Sequence, residues 1–220
     1  MSTLDPVGPE AAAIAQVWWW MFGFATLVLV GVVTLWLVAM RRDRMLPHDE
    51  AARVGRRWIV AGGILLPAIS TTALVMFGFP AGLHRLPLPV ADGDQPPLLV
   101  NVTGHQFWWE LHYPDSGVRL RNELRLPVGR AVEVHTRSAD VIHSFWVPRL
   151  GGKIDAVPGH VRVVRLRADQ AGTFRGQCAE FCGRDHAHMT MIVHAMPADE
   201  FQSWLSAQPA EATANPGAQR

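Results

Sequence analysis

Apolar positions divide the chain into two textures. From Val17 to Met40 runs VWWWMFGFATLVLVGVVTLWLVAM, without one charged residue. As a helix at ~1.5 Å per residue it would reach about 36 Å, enough to cross a bilayer. Trp18, Trp19 and Trp20 at one end suit the interfacial aromatic belt. A second apolar run, Trp58 to Phe79, carries Gly62, Gly63 and Pro67, residues that membrane helices tolerate. Between them, RRDRMLPHDEAARVGRR (41–57) sets six arginines against three acids, which by the positive-inside rule makes this loop cytoplasmic and puts both termini outside. The pattern predicts a two-helix transmembrane hairpin over 17–79, with helices at about 17–40 and 58–79. The external tail ahead of it, 1–16, has Asp5 and Glu10 but no Lys or Arg, so it lacks the basic flank of a cleaved secretory signal.

A Pro/Gly/Asp-rich linker follows over 80–97, PAGLHRLPLPVADGDQPP. From Leu98 the texture changes to short runs separated by turn signals: LLVNVTG, QFWWELHY, VRLRNELRL, AVEVHTR, VIHSFWV and VRVVRLR. Alternation is clear in AVEVHTR and partial in VRVVRLR, where Val163–Val164 suggests a bulge. Strands at this spacing predict an antiparallel all-β sandwich or barrel over 98–208, closed by a short helix in PADEFQSWLSA. The tail 209–220, rich in Ala, Pro and Glu, is expected to be disordered. A formal charge of +1 gives no reason to expect nucleic acid as a partner.

The chemistry gathers in GQCAEFCGRDHAHM, Gly176 to Met189, which holds both cysteines of the chain with His186 and Met189; His143 lies upstream in an apolar strand-like run. Thiolate and thioether select copper, zinc or iron–sulfur centres, and imidazole suits copper and zinc. A mononuclear copper site would leave one Cys unused, and a structural zinc would leave Met189 unused. A Cys178–Cys182 disulfide would close so short a loop that it gains little entropy. Two coppers bridged by both thiolates use every donor: each metal has two sulfurs, one imidazole from His143 or His186, and one weak donor, Met189 or a backbone carbonyl. A filled shell leaves no position for substrate, so the site should move electrons. The copper ligands make the sandwich cupredoxin-like. His105, His160, His188 and His194 are expected to be structural or surface groups.

The motif resembles the binuclear CuA site of subunit II of haem-copper cytochrome c oxidases. The resemblance rests on GHQFWWE (104–110), DVIHSFWVP around His143, KIDAVPGH (153–160) and GQCAEFCG, in family order. It implies a periplasmic CuA domain with His143, Cys178, Glu180, Cys182, His186 and Met189 as ligands, Glu180 through its backbone carbonyl. It further implies that the Glu180 carboxylate helps hold Mg²⁺ at the contact with a catalytic subunit. Phe107, Trp108 and Trp109 resemble the family's electron-accepting aromatic patch; alternation sets Trp108 opposite Phe107 and Trp109, and family members commonly have Trp where Phe107 stands. The implied partners are the catalytic haem-copper subunit I, a subunit III, and a separate cytochrome c, since no Cys-x-x-Cys-His is present for a fused one. The implied place is a bacterial inner membrane, with the copper domain outside. Many members carry an acid early in the second helix to feed a proton channel; alignment on Pro67 puts Val60 there. A membrane-tethered copper carrier or sensor, or a quinol-oxidase subunit II, are the alternatives. The first needs an exchangeable site and the second lacks these ligands.

Overall fold

A computed structural model describes residues 3–41, 47–83 and 96–208. Most of the expected linker, the tail 209–220 and loop residues 42–46 lie outside the described residues. The chain forms two units, Gln16–Leu83 and the remainder.

In the helical unit, α1 (Pro9–Met40) begins ahead of the apolar run. Pro9 has the fixed φ a first helical turn wants, Glu10 complements the dipole, and the alanines that follow continue the helix. The second helical stretch likewise starts early: α2 (His48–Trp58) lies within the segment read as a loop. Pro47 precedes it, Asp49 and Glu50 occupy its first turn, and Arg56 and Arg57 occupy its last, the charge order a helix dipole favours. A π-helical segment, Ile59–Leu65, joins α2 to α3 (Leu66–Leu83). Its cause is local. Pro67 has no amide to donate and its ring crowds the carbonyl four residues back, so the backbone widens and the Leu66 amide bonds the carbonyl of Ala61. Both helical stretches are long and apolar enough to cross a membrane, and their side chains face outward: Trp20 is 75% and Phe77 79% exposed.

The other unit is a sandwich of two five-stranded sheets. Its strands are β1 (Leu98–His105), β2 (Trp108–Tyr113), β3 (Val118–Arg121), β4 (Glu123–Pro127), β5 (Val132–Ser138), β6 (His143–Trp146), β7 (Ile154–Ala156), β8 (Arg162–Leu166), β9 (Gly172–Cys178) and β10 (Thr190–Met196). One sheet runs β3-β2-β1-β5-β8 and the other β4-β10-β9-β6-β7, with β1/β5 and β4/β10 parallel. Alternation drives burial. In β1, Leu98, Val100 and Val102 point into the core and Leu99, Asn101 and Thr103 point away. Trp109, Leu111, Leu124, Val134, Phe145 and Val193 complete the centre of the core. The short helix α4 (Ala198–Ala207) buries Phe201 there.

The bulge suggested at Val163–Val164 does not occur. Pairing of β8 with β5 is continuous, with Val164 opposite Val134 and Val163 opposite His135. The alternation weakens because Arg165 is buried at a polar position, ion-paired at 2.7 Å to Glu133 on the neighbouring strand. Residues up to Ala15, the first turns of α1 included, also belong to this unit. The Val7 and Gly8 amides donate to the carbonyl of Arg149, the Asp169 amide donates to that of Val7, and Val7, Ala11 and Ala15 are buried.

Candidate metal centre

Three connections meet at one end of the sandwich: the β1–β2 turn, the β5–β6 loop and the β9–β10 loop. They are tied together by hydrogen bonds. The Gln106 amide donates to Asp140 Oδ2 at 2.7 Å, and Gln106 Nε2 donates to the carbonyl of Cys182 at 2.6 Å. The Cys178 amide donates to the carbonyl of Met189, closing the long loop at its neck. Within the loop the amides of His186, His188 and Met189 bond backward to Gly183, Asp185 and His186, a 3₁₀ turn that aims His186 inward.

The six predicted ligand residues converge. Cys178 Sγ lies 3.9 Å from Cys182 Sγ and 3.9 Å from His143 Nδ1. Cys182 Sγ lies 3.6 Å from His186 Nδ1 and 3.7 Å from Met189 Sδ. The carbonyl of Glu180 is 3.2 Å from Cys178 Sγ, while its side chain is on the exposed surface. His143 and Met189 are fully buried and both cysteines nearly so. The thiols are free, not bridged. The donor set is therefore two thiol sulfurs, two imidazole Nδ1 atoms, one thioether and one carbonyl. It fits a pair of soft coppers and is a poor fit for zinc, for which the thioether turned into the cluster has no use.

The surrounding charges prepare the cluster for a cation. Burial pushes the Cys178 thiol up, but hydrogen bonds from His143 and from the backbone at Glu180 and Ser144 outweigh it and hold the thiol well below its ordinary value. Cys182 goes the other way, raised by its own burial and by the negative charge on Cys178. The pair thus gives up one proton readily and the second when a metal replaces it. Burial alone would lower His143; its bonds to Cys178 and Asp140 raise it instead.

Sequence reasoning passed over Asp140, although it lies inside DVIHSFWVP. Its Oδ1 takes His143 Nε2 at 2.7 Å and the Val141 amide at 2.6 Å. A carboxylate three residues before a ligand histidine is the signal that could have found it. Gly104 was also missed. A Cβ there would stand 2.7 Å from His143 Cδ2 and 3.2 Å from the Trp109 ring, so only glycine lets the strand lie against the ligand.

The aromatic run separates into three environments. Trp109 is wholly buried, with its ring edge-on to His143 and Phe145 at 5.8 Å. Trp108 is on the opposite face, stacked on His105 at 4.2 Å and covered by the Arg121 guanidinium at 4.5 Å. Phe107 is in the turn, half-buried, against the ligand loop. A Cβ on Gly183, whose φ is 134°, would lie 3.1 Å from the Phe107 ring. The remaining histidines stand apart from the ligand atoms. His160 bonds the carbonyl of Pro158, His194 pairs with Thr173, and His188 is exposed.

The family described as cytochrome C oxidase subunit II, periplasmic domain, matches residues 118–196. A cytochrome c oxidase subunit 2 of Alkalihalophilus pseudofirmus is 34% identical over 231 residues, covering 100% of this chain and 67% of its own length. One from Thermostichus vulcanus is 40% identical over 143 residues; the match covers 65% of this chain and 43% of the relative. Among solved structures, the periplasmic domain of subunit II of cytochrome oxidase of Bradyrhizobium japonicum is 34% identical with a TM-score of 0.49. It covers 51% of this chain and 93% of that one.

Proposed function

The chain belongs to the cytochrome c oxidase subunit II family, and from that premise we propose that its β unit holds a binuclear copper centre that takes electrons singly from a separate cytochrome c and passes them toward haem in a catalytic subunit. The observation that carries the reading is the meeting of His143 Nδ1, His186 Nδ1, both cysteine sulfurs, Met189 Sδ and the Glu180 carbonyl in one cluster whose His143, Cys178, Cys182 and Met189 are buried. Bound there, copper supplies a one-electron carrier with no open coordination position.

The chain's own residues supply position and insulation. Asp140 and Trp109 fix the His143 ring; Gly104 and Gly183 let the β1–β2 turn press against the loop. Backbone bonds hold the loop in one shape, so little has to rearrange when charge changes. Of the three aromatics, Phe107 is our choice for the residue through which electrons arrive, because its ring touches the ligand loop while Trp108 is covered on its faces and Trp109 is core. The exposed Glu180 carboxylate is free to help hold Mg²⁺ against subunit I, and the apolar helices anchor the chain beside subunits I and III. The copper unit then stands on the outer, periplasmic side of a bacterial inner membrane, with the arginine-bearing stretch 41–57 in the cytoplasm. Oxygen reduction and proton translocation belong to the partner. Val60, where the family resemblance would put a proton-channel acid, has no ionisable group and cannot itself carry a proton.

The test is copper loading of the full chain in detergent. Metal analysis should return two coppers per chain, with an electron paramagnetic resonance signal of one unpaired electron spread over both. Cys182→Ser should abolish that signal, because a hydroxyl does not bridge soft metals; Met189→Leu should keep the copper and shift its potential. One copper, zinc alone, or equal loss from both variants overturns the reading.

A further inference from the structure

Among the described residues, the strongest charged feature outside the copper cluster is α2. The second helical stretch is continuous from His48 to Gly78. Its apolar part, from Ile59 on, is about 30 Å long at ~1.5 Å per residue, which alone fills the hydrocarbon of a bilayer. α2 adds about 16 Å, so on the membrane-anchored reading above it stands in the headgroup layer and the water beyond. Trp58, 58% exposed, marks the boundary as an interfacial tryptophan would.

Three arginines lie on this overhang, Arg53, Arg56 and Arg57, all exposed. Their spacing of three and four residues puts them side by side over an arc of about 100°, with Arg56 and Arg57 in the turn that meets the apolar segment. Ala51, Val54 and Trp58 take the opposite face. Asp49 and Glu50 share the arginine arc but lie at the far end of the helix, away from the lipid boundary. Among the described residues none of the three arginines is ion-paired. A guanidinium is a planar fork that matches two phosphate oxygens at once. Phosphates of zwitterionic lipids carry their own ammonium; those of anionic lipids do not.

We propose that Arg53, Arg56 and Arg57 form a binding face for the phosphate headgroup of an anionic phospholipid in the leaflet that α2 overhangs. The proposal rests on the reading that the two apolar helices cross the membrane. The binding geometry is parallel to the helix: Arg56 and Arg57 meet the phosphate at the level of Trp58, and Arg53 reaches it from one turn outside. An arginine near an anionic surface contributes about 1 kcal/mol, which is roughly fivefold in retention for each side chain.

The experiment uses the full chain in nanodiscs of equal phosphatidylglycerol and phosphatidylcholine, extracted into mild detergent and weighed by native mass spectrometry. The wild-type chain should retain phosphatidylglycerol over phosphatidylcholine by tenfold or more, and 0.5 M salt should weaken the preference. Arg56→Gln or Arg57→Gln alone should lower it about fivefold, and the triple glutamine variant should bring the lipids to parity. The single variants leave five arginines in the 41–57 stretch, so insertion is retained and the result stays readable. Asp49→Asn with Glu50→Gln should leave the preference intact or raise it. Equal retention of both lipids by the wild type overturns the proposal. So does a preference unchanged in the triple variant, which would leave the face to a protein contact. Alkaline extraction separates the two levels: a chain washed off the membrane defeats the membrane-spanning reading as well, whereas a chain that stays without lipid preference defeats the lipid face alone.

Discussion

Asp140 takes the outer nitrogen of His143 at 2.7 Å, which holds a proton at Nε2 and turns Nδ1 toward Cys178. Burial would raise the Asp140 carboxyl, but bonds from His143 and the amides of Gln106 and Val141 hold it below the usual range, so it stays an anion beside the ligand. Asp140→Asn removes that charge and lets an amide compete for the ring orientation. Copper affinity should fall by 10–100-fold, the usual cost of losing a carboxylate behind a ligand histidine, with the fold retained. Competition against a graded chelator measures it; affinity equal to wild type would mean that Asp140 merely shapes the turn. The residues that meet in the cluster were legible because cysteine, histidine and methionine crowded into one loop point to soft-metal chemistry. Asp140, Gln106 and Gly104 were not, because their parts are relations across space between separate loops. Alternation correctly set Trp108 opposite Trp109, yet gave no sign that Phe107 leaves the strand for the turn and meets Gly183.

Tyr113 shows how the elements lock together. It ends β2, its hydroxyl donates to the carbonyl of Arg125 at 2.7 Å and accepts from the Arg125 amide at 2.8 Å, and its ring meets Phe201 and Trp204 of α4. One phenol thereby joins a strand of each sheet and the closing helix. Burial raises its pKa well above the ordinary tyrosine value, against the smaller lowering effect of the Arg125 amide. The unfolded chain ionises this tyrosine near pH 10. The stabilisation is therefore complete below about pH 10 and is lost as pH rises above that, by up to ~1.4 kcal/mol per pH unit. The chain has a single tyrosine, so tyrosinate absorbance reports this group alone and should appear together with unfolding, not before it. Tyr113→Phe should cost ~1–3 kcal/mol at neutral pH and remove this component of the alkaline loss. Tyrosinate formed in the still-folded protein near pH 10 would contradict the argument. Periodicity found the strands because one face of each is core, but helix limits escaped it. Pro9 and Pro47 start α1 and α2 in polar sequence, where propensity and dipole decide and hydrophobicity is silent.

At the scale of the whole molecule, residues 3–15 of the expected external tail are packed on the sandwich. Val7 and Gly8 run beside Arg149, exchange backbone bonds with the sandwich at Arg149 and Asp169, and bury Val7; Ala11 and Ala15 follow on the first turns of α1, and Asp5 pairs with Arg149 at 2.5 Å. The exposed ion pair counts for little. Three backbone bonds and the burial of Val7, Ala11 and Ala15 favour the docked segment, against the entropy of ordering it. The fragment 96–208 should therefore melt lower than the same fragment carrying residues 3–15 on a flexible linker, and Val7→Asp in the linked form should return it to the lower value. The competing account is that the segment only lies along the surface. In that case the linked and unlinked fragments melt together and Val7→Asp has no effect. A gain that survives Val7→Asp would assign the stabilisation to the linker and not to the docked segment.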